Sequence, residues 1–343
     1  MPPLVAIFAA AGLLAAFIFN KVQHPHQITP GLPLLSPADE HRLTGSSRVV
    51  KLINPQGVET LVRTWEAAES VEASETKAAT VVLVHGFSWH SQYFSKLAAA
   101  LQSAGFRVVA YDLQGHGRSG QISAAKAYAT RFDDWVKELG QVVRESCPIE
   151  QKLFLFAESM GATIVLRALT GAAADFGAVE RVDGVIFSGP VIRVAPEVLP
   201  PPPVVAVIKA LATVFPLLSV PTSEVADGLE SAFGDAAFAA EAKKDPLVIF
   251  DNPRLRSAAE ILATVDHNIR SFALVKQPLL VLHGAEDKRT HASNSRDFIN
   301  GVSSKDKKLV IIPGGNHQLL QDKSSITEDV IGQIIEFFSH RAL

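Results

Sequence analysis

Six short runs in this chain, "ATVVLVHG", "FRVVAYD", "KLFLFA", "VDGVIFSG", "QPLLVLHG" and "KKLVIIPG", are nearly continuous in apolar residues. A strand with one wet face alternates apolar and polar residues. A run without alternation needs cover on both faces, which is the condition of a strand inside a parallel sheet. Helical patterns alternate with these runs at 92–103, 132–145, 160–170, 293–300 and 326–340. Ahead of them, "SRVVKLIN" and "VETLVRTWEA" are separated by "PQG", which reads as a hairpin. The spacing predicts an α/β fold: a mostly parallel, eight-stranded sheet with helices on both faces, opened by an antiparallel hairpin.

One region breaks the rhythm. Residues 190–275 contain no convincing strand, only "APEVLPPPPVVAVIKALATVFPLLSV" and "DPLVIFDNPRLRSAAEIL". A helical insertion after the sixth strand predicts a cap over the sheet's C-terminal edge, where ligands bind in open α/β sheets. The core then comprises 43–189 and 276–343, and the Pro-rich stretch 21–42 reads as a linker. "EAAESVEASETKAA" reads as a solvated hairpin or loop extension.

Residues 1–20 stand apart. The uncharged stretch 4–19 would span roughly 24 Å as a helix, slightly short of a bilayer core of about 30 Å. It lacks the basic start and small-residue cleavage site of a secretory signal, so an uncleaved membrane anchor is expected. A signal or transit peptide, or a helix docked on the protein, are the alternatives. Lys21 follows the segment and, by the excess of positive charge on the cytosolic side, leans toward a cytosolic catalytic domain.

Composition narrows the function. With 48% hydrophobic and 20% charged residues the chain is globular, and a net charge of −3 with dispersed Lys and Arg offers no footprint for nucleic acid. The single cysteine, Cys147, excludes a disulfide framework and reads as a buried thiol. The 11 histidines are scattered without metal-ligand spacing, so no metal site is expected.

Chemistry concentrates in "LFLFAESMGATIVLRAL", where Ser159 sits between a strand and a helix. A nucleophile held on so sharp a turn needs small residues two before and two after it; here they are Ala157 and Gly161. A hydroxyl becomes nucleophilic only if a base takes its proton and an acid orients that base. Asp287 follows the strand in "LLVLHGAEDKRT", and His317 follows the last strand in "LVIIPGGNHQLL". Glu286 is the alternative acid. The N–H of Met160 and the backbone of Phe87 are the expected oxyanion donors. His85, Gly86, Asp112 and His116 are expected to brace the surrounding loops, and "GHGRSG" lacks the Lys-Ser/Thr pair of a phosphate loop.

Taken together, "VVLVHGFSWHSQYFSKLAAAL", "VVAYDLQGHGRSG", "FAESMGATIVLRAL", "LLVLHGAEDKRT" and "SSKDKKLVIIPGGNHQLL" resemble the monoacylglycerol lipase-like α/β-hydrolases of serine aminopeptidase S33 type. The likeness is greatest to the plant branch that includes caffeoylshikimate esterases. The resemblance implies cofactor-free ester hydrolysis by Ser159, Asp287 and His317, with Phe87 and Met160 as oxyanion donors. The chain departs from the pattern at Ala157, where the family carries glycine, and at Lys288 and Arg289, where small or apolar residues often follow the acid. The apolar cap suits a lipid ester. A phenolic or other small ester, acyl transfer to another alcohol, and a hydrolase-fold binding protein are the alternatives.

Overall fold

The computed structural model describes residues 27–46, 48–68, 79–171, 176–194, 202–220 and 232–343. The eight expected strands are present: β1 (Arg48–Ile53), β2 (Glu59–Trp65), β3 (Ala79–Val84), β4 (Arg107–Tyr111), β5 (Lys152–Glu158), β6 (Val182–Ser188), β7 (Leu279–Gly284) and β8 (Lys307–Ile312). They form one sheet in the order β1-β2-β4-β3-β5-β6-β7-β8. Only β1–β2 and β2–β4 pair antiparallel; every other neighbour is parallel.

The period of two explains why these runs are apolar throughout. Val82, Val84, Leu155, Ala157, Val185 and Phe187 point to one face, against helices α3 (Phe132–Ser146) and α4 (Met160–Thr170). Val81, Leu83, Phe154, Phe156 and Ile186 point to the other, against α2 (Ser95–Ser103) and the last helix, Ser324–Ala342. Each large side chain so buried stabilises the fold by roughly 1.5–3 kcal/mol.

The linker expected over 21–42 is structured where described. Ile28–Thr29 pairs with Gln121–Ile122, and Pro37–Thr44 forms helix α1. The Ser36 hydroxyl accepts the Asp39 N–H, Pro37 opens the first turn, and Gly45 closes the helix at φ 70°. Glu40 on α1 pairs at 2.6 Å with Arg63 of β2, which also reaches Asp112 at 3.2 Å; all three are buried. Removing one partner of such a buried pair costs about 3–5 kcal/mol, so α1 belongs to the core.

Between β6 and β7 lie helices α5 (Pro202–Val214), α6 (Ala236–Ala242) and α7 (Leu255–Arg270), with no strand among the described residues. Helix α7 is tied to the core: Glu260 accepts the Phe132 N–H at 2.9 Å, Arg256 donates to Thr130 O at 2.8 Å, and Asn268 donates to Thr163 O at 3.1 Å. Helix α5 packs against α7 and buries only Ala212 among its described side chains. The expected anchor over 1–20 lies outside the described residues. Among the described residues no helix is long and apolar enough to cross a membrane. Most of the loop expected over 66–79 is likewise outside them.

Candidate active site

Parallel strands end on one edge, so the loops after β3, β5, β7 and β8 converge there. Ser159 follows β5 directly and adopts φ 53°, ψ −119°, a conformation L residues rarely occupy. Two glycines make this turn possible. A Cβ on Gly161 would lie 2.3 Å from Val84 O, and one on Gly86 would lie 2.9 Å from the Ser159 Cβ. Ala157 is fully buried in β5, so the methyl that departs from the family pattern is accommodated in the core.

Ser159, Asp287 and His317 meet. His317 Nδ1 lies 2.8 Å from Asp287 Oδ2, and its Nε2 lies 3.0 Å from Ser159 Oγ. A carboxylate only accepts, so Nδ1 carries the proton and Nε2 is free to accept from the serine. Asp287 Oδ1 accepts the backbone N–H groups of Arg289 (2.8 Å) and Thr290 (2.9 Å), and Oδ2 accepts the Thr290 hydroxyl at 2.7 Å. Burial alone would raise the Asp287 pKa. The charge of His317 and hydrogen bonds from His283, His317 and the Thr290 N–H outweigh it and hold the acid well below the usual carboxylate range. Glu286, the alternative acid, is exposed.

Met160 opens α4, so its N–H has no acceptor in the preceding turn. Phe87 stands in the loop after β3 and lines the same cavity as Ser159 and His317. That loop is braced as expected. His85 accepts the Leu113 N–H on Nε2 at 2.9 Å and donates from Nδ1 to Gly86 O at 2.8 Å. Burial lowers the His85 pKa to about 4 and the His116 pKa to about 3, so both stay neutral near pH 7. Asp112 accepts the N–H groups of Ser91 and Arg118, each at 2.8 Å, and joins the two walls of the site. The Cys147 thiol is buried at the end of α3, which pushes its pKa up to about 12 and leaves it inert.

Sequence reasoning missed a polar chain behind Ser159. Its hydrogen-bond partners orient the Gln318 amide: the nitrogen donates to the two Glu158 carboxyl oxygens at 2.9 and 3.0 Å, and the oxygen accepts from Trp89 Nε1 at 2.6 Å. No short motif marks Gln318; only its place beside His317 could have drawn attention. Glu158 is fully buried, which raises its pKa to about 8. Between the ordinary carboxyl value and pH 8 the folded chain therefore binds a proton that the unfolded chain has released, so Glu158 draws stability down as pH rises. Glu158→Gln removes this dependence. Its stability relative to the unmutated chain, read from urea midpoints at pH 5, 6.5 and 8, is expected to improve with pH by up to about 1.4 kcal/mol per unit. A difference that stays constant across that range would contradict the buried neutral acid.

A cavity of about 190 Å³ opens above Ser159 and His317, walled by Phe87, Trp89, Ala232, Pro253, Ile261 and Arg289. The sheet order, and a serine, histidine and aspartate meeting on its C-terminal edge, are those of an α/β-hydrolase. More narrowly, the chain belongs to the family described as "Serine aminopeptidase, S33", whose profile matches residues 75–324. It is 27% identical over 257 residues to the monoacylglycerol lipase of Mycolicibacterium smegmatis, covering 74% of this chain and 87% of that protein. It is 28% identical over 264 residues to the caffeoylshikimate esterase of Arabidopsis thaliana, covering 74% of each. The fold matches the crystal structure of the Paleococcus ferrophilus monoacylglycerol lipase with a TM-score of 0.68 at 24% identity, over 82% of this chain and 99% of that one.

Proposed function

We propose that this chain is a serine hydrolase of carboxylic esters, acting on a monoacylglycerol or related lipid ester through an acyl-enzyme. The observation that carries the reading is the unbroken relay from Asp287 through His317 to Ser159, at 2.8 and 3.0 Å, under a cavity with mostly apolar walls. In this reading Ser159 Oγ attacks the ester carbonyl while His317 Nε2 takes the hydroxyl proton. The carbonyl oxygen becomes an oxyanion held by the N–H groups of Phe87 and Met160. Collapse expels the alcohol, which takes its proton from His317, and leaves the acyl group on Ser159. Water then repeats the sequence and releases the acid. Asp287 keeps His317 in the accepting tautomer and stabilises the imidazolium formed on the way.

Residues 190–275 act as a cap in this account, since Ala232, Pro253 and Ile261 from that stretch wall the cavity. Support for a lipid ester comes from the same apolar walls and from the lipase relatives. Helix α5 adds a row of exposed apolar side chains, Val204, Val207, Leu211 and Val214, on the outside of the cap. A second reading, a phenolic ester, is favoured by the aromatic walls Phe87 and Trp89 and by the caffeoylshikimate esterase relative. Each buried methylene is worth about 0.8 kcal/mol, so lengthening an acyl group from C4 to C8 is expected to raise kcat/KM by up to about two decades. A flat profile across a C2 to C12 glycerol ester series, with faster turnover of caffeoylshikimate, would move the assignment to the phenolic ester.

A further inference from the structure

Two serines that line the cavity carry positive φ, Ser159 at 53° and Ser88 at 75°. Close-packed glycines permit the Ser159 turn. Ser88 lies in the loop after β3, between Phe87 and Trp89, and an L residue keeps such a conformation only where its surroundings hold it. Ser88 O accepts the Ile249 N–H at 3.0 Å, and the Trp89 N–H reaches Gly86 O at 3.4 Å. A shorter hold is the Trp89 side chain. Its buried ring packs edge-on against Phe233 at 5.3 Å, and its Nε1 donates to the Gln318 amide oxygen at 2.6 Å. An indole N–H can only donate, so it draws the amide oxygen and turns the NH₂ to both Glu158 carboxyl oxygens, at 2.9 and 3.0 Å. The Gln318 main chain is held as well, its N–H donating to Ala232 O at 2.8 Å. Glu158 is the last residue of β5 and is bonded directly to Ser159. One buried amide beside His317 thus ties the loop of Phe87 to the turn of Ser159.

We propose that Gln318 is a positioning residue for the reaction: by joining Trp89 to Glu158 it fixes the Phe87 N–H against Ser159, where an oxyanion needs it. The inference rests on the ester-hydrolase reading and adds to it a residue that acts through Trp89 and Glu158 rather than on the substrate. Oxyanion donors work within a few tenths of an ångström, so a loop released at Trp89 should weaken the transition state and leave substrate binding largely intact.

Initial rates on p-nitrophenyl butyrate at pH 7, with thermal midpoints alongside, test it on the full chain. Gln318→Leu should lower kcat about ten- to a hundredfold with KM within about threefold. Glu158→Leu should do the same, whereas Glu158→Gln keeps an acceptor oxygen for the Gln318 amide and should retain most of kcat. The double variant Glu158→Leu with Gln318→Leu separates positioning from packing. It removes both partners together, so its midpoint should recover relative to Glu158→Leu while kcat stays low. Trp89→Phe breaks the other end of the tie and keeps a ring there; it should lower kcat similarly and add little further loss to Gln318→Leu. If Gln318→Leu does not fold, Trp89→Phe and Glu158→Leu decide by the same kcat criterion. A kcat within about threefold in the folded variants, or one that recovers with the midpoint in the double variant, overturns the positioning role alone. No cleavage by the unmutated chain overturns that role and the hydrolase reading together.

Discussion

Ser159→Ala is expected to lower kcat on any ester the chain cleaves by about 10⁶-fold, which corresponds to roughly 8 kcal/mol of barrier. The fold should survive. The Ser159 hydroxyl has His317 Nε2 at 3.0 Å as its partner, and the Cβ that contacts the Gly86 loop is retained by alanine. Alanine also tolerates the turn no worse than serine does, since both carry a Cβ at φ 53°. Residual rate would come from the oxyanion donors proposed at Phe87 and Met160 and from substrate binding, neither of which the substitution touches. Circular dichroism and thermal midpoint check the fold, and initial rates check the loss. A folded variant that loses less than tenfold would place the nucleophile elsewhere.

Asp287→Asn is expected to cost on the order of 10⁴-fold in kcat. The direction follows from which oxygen does what. Oδ1 accepts two backbone N–H groups, so an asparagine must place its carbonyl there and turn its NH₂ toward His317. His317 Nδ1 then has to accept rather than donate, which moves the ring proton to Nε2, facing Ser159. The base is occupied and cannot take the serine proton. The turn itself is preserved, so the loss should appear in kcat with a folded protein. A loss below tenfold would mean that another acid, with Glu286 the neighbour in sequence, orients the histidine.

The sheet and the three-residue relay were legible because each follows from a local rule. Strands covered on both faces must be apolar throughout, and a nucleophile on a sharp turn must be flanked by small residues, as Ala157 and Gly161 are here. Helix α1 was also written in the sequence, as Ser36-Pro37 followed by Asp39 and Glu40 at the start of a helix, but the prolines around it read as a linker. What makes α1 part of the core is the contact of Glu40 with Arg63, a pairing 23 residues away that no local pattern announces. The same holds behind the site. Gln318 joins Glu158 to Trp89 through space, and Thr290 supports Asp287 from within a turn whose shape is visible only once folded. The position of Arg289 was half legible: its departure from the family pattern stood out, but its place in the cavity wall depends on how the Asp287 turn aims it.

The central claim is that Ser159 is the one nucleophile of an ester hydrolase, and covalent capture reads it most directly. An alkyl fluorophosphonate should add once to the unmutated chain, as one mass increment in the intact protein, mapped to the peptide that contains Ser159. Ser159→Ala, treated identically, should stay unlabelled. An adduct on another residue, or undiminished labelling of Ser159→Ala, would contradict the account.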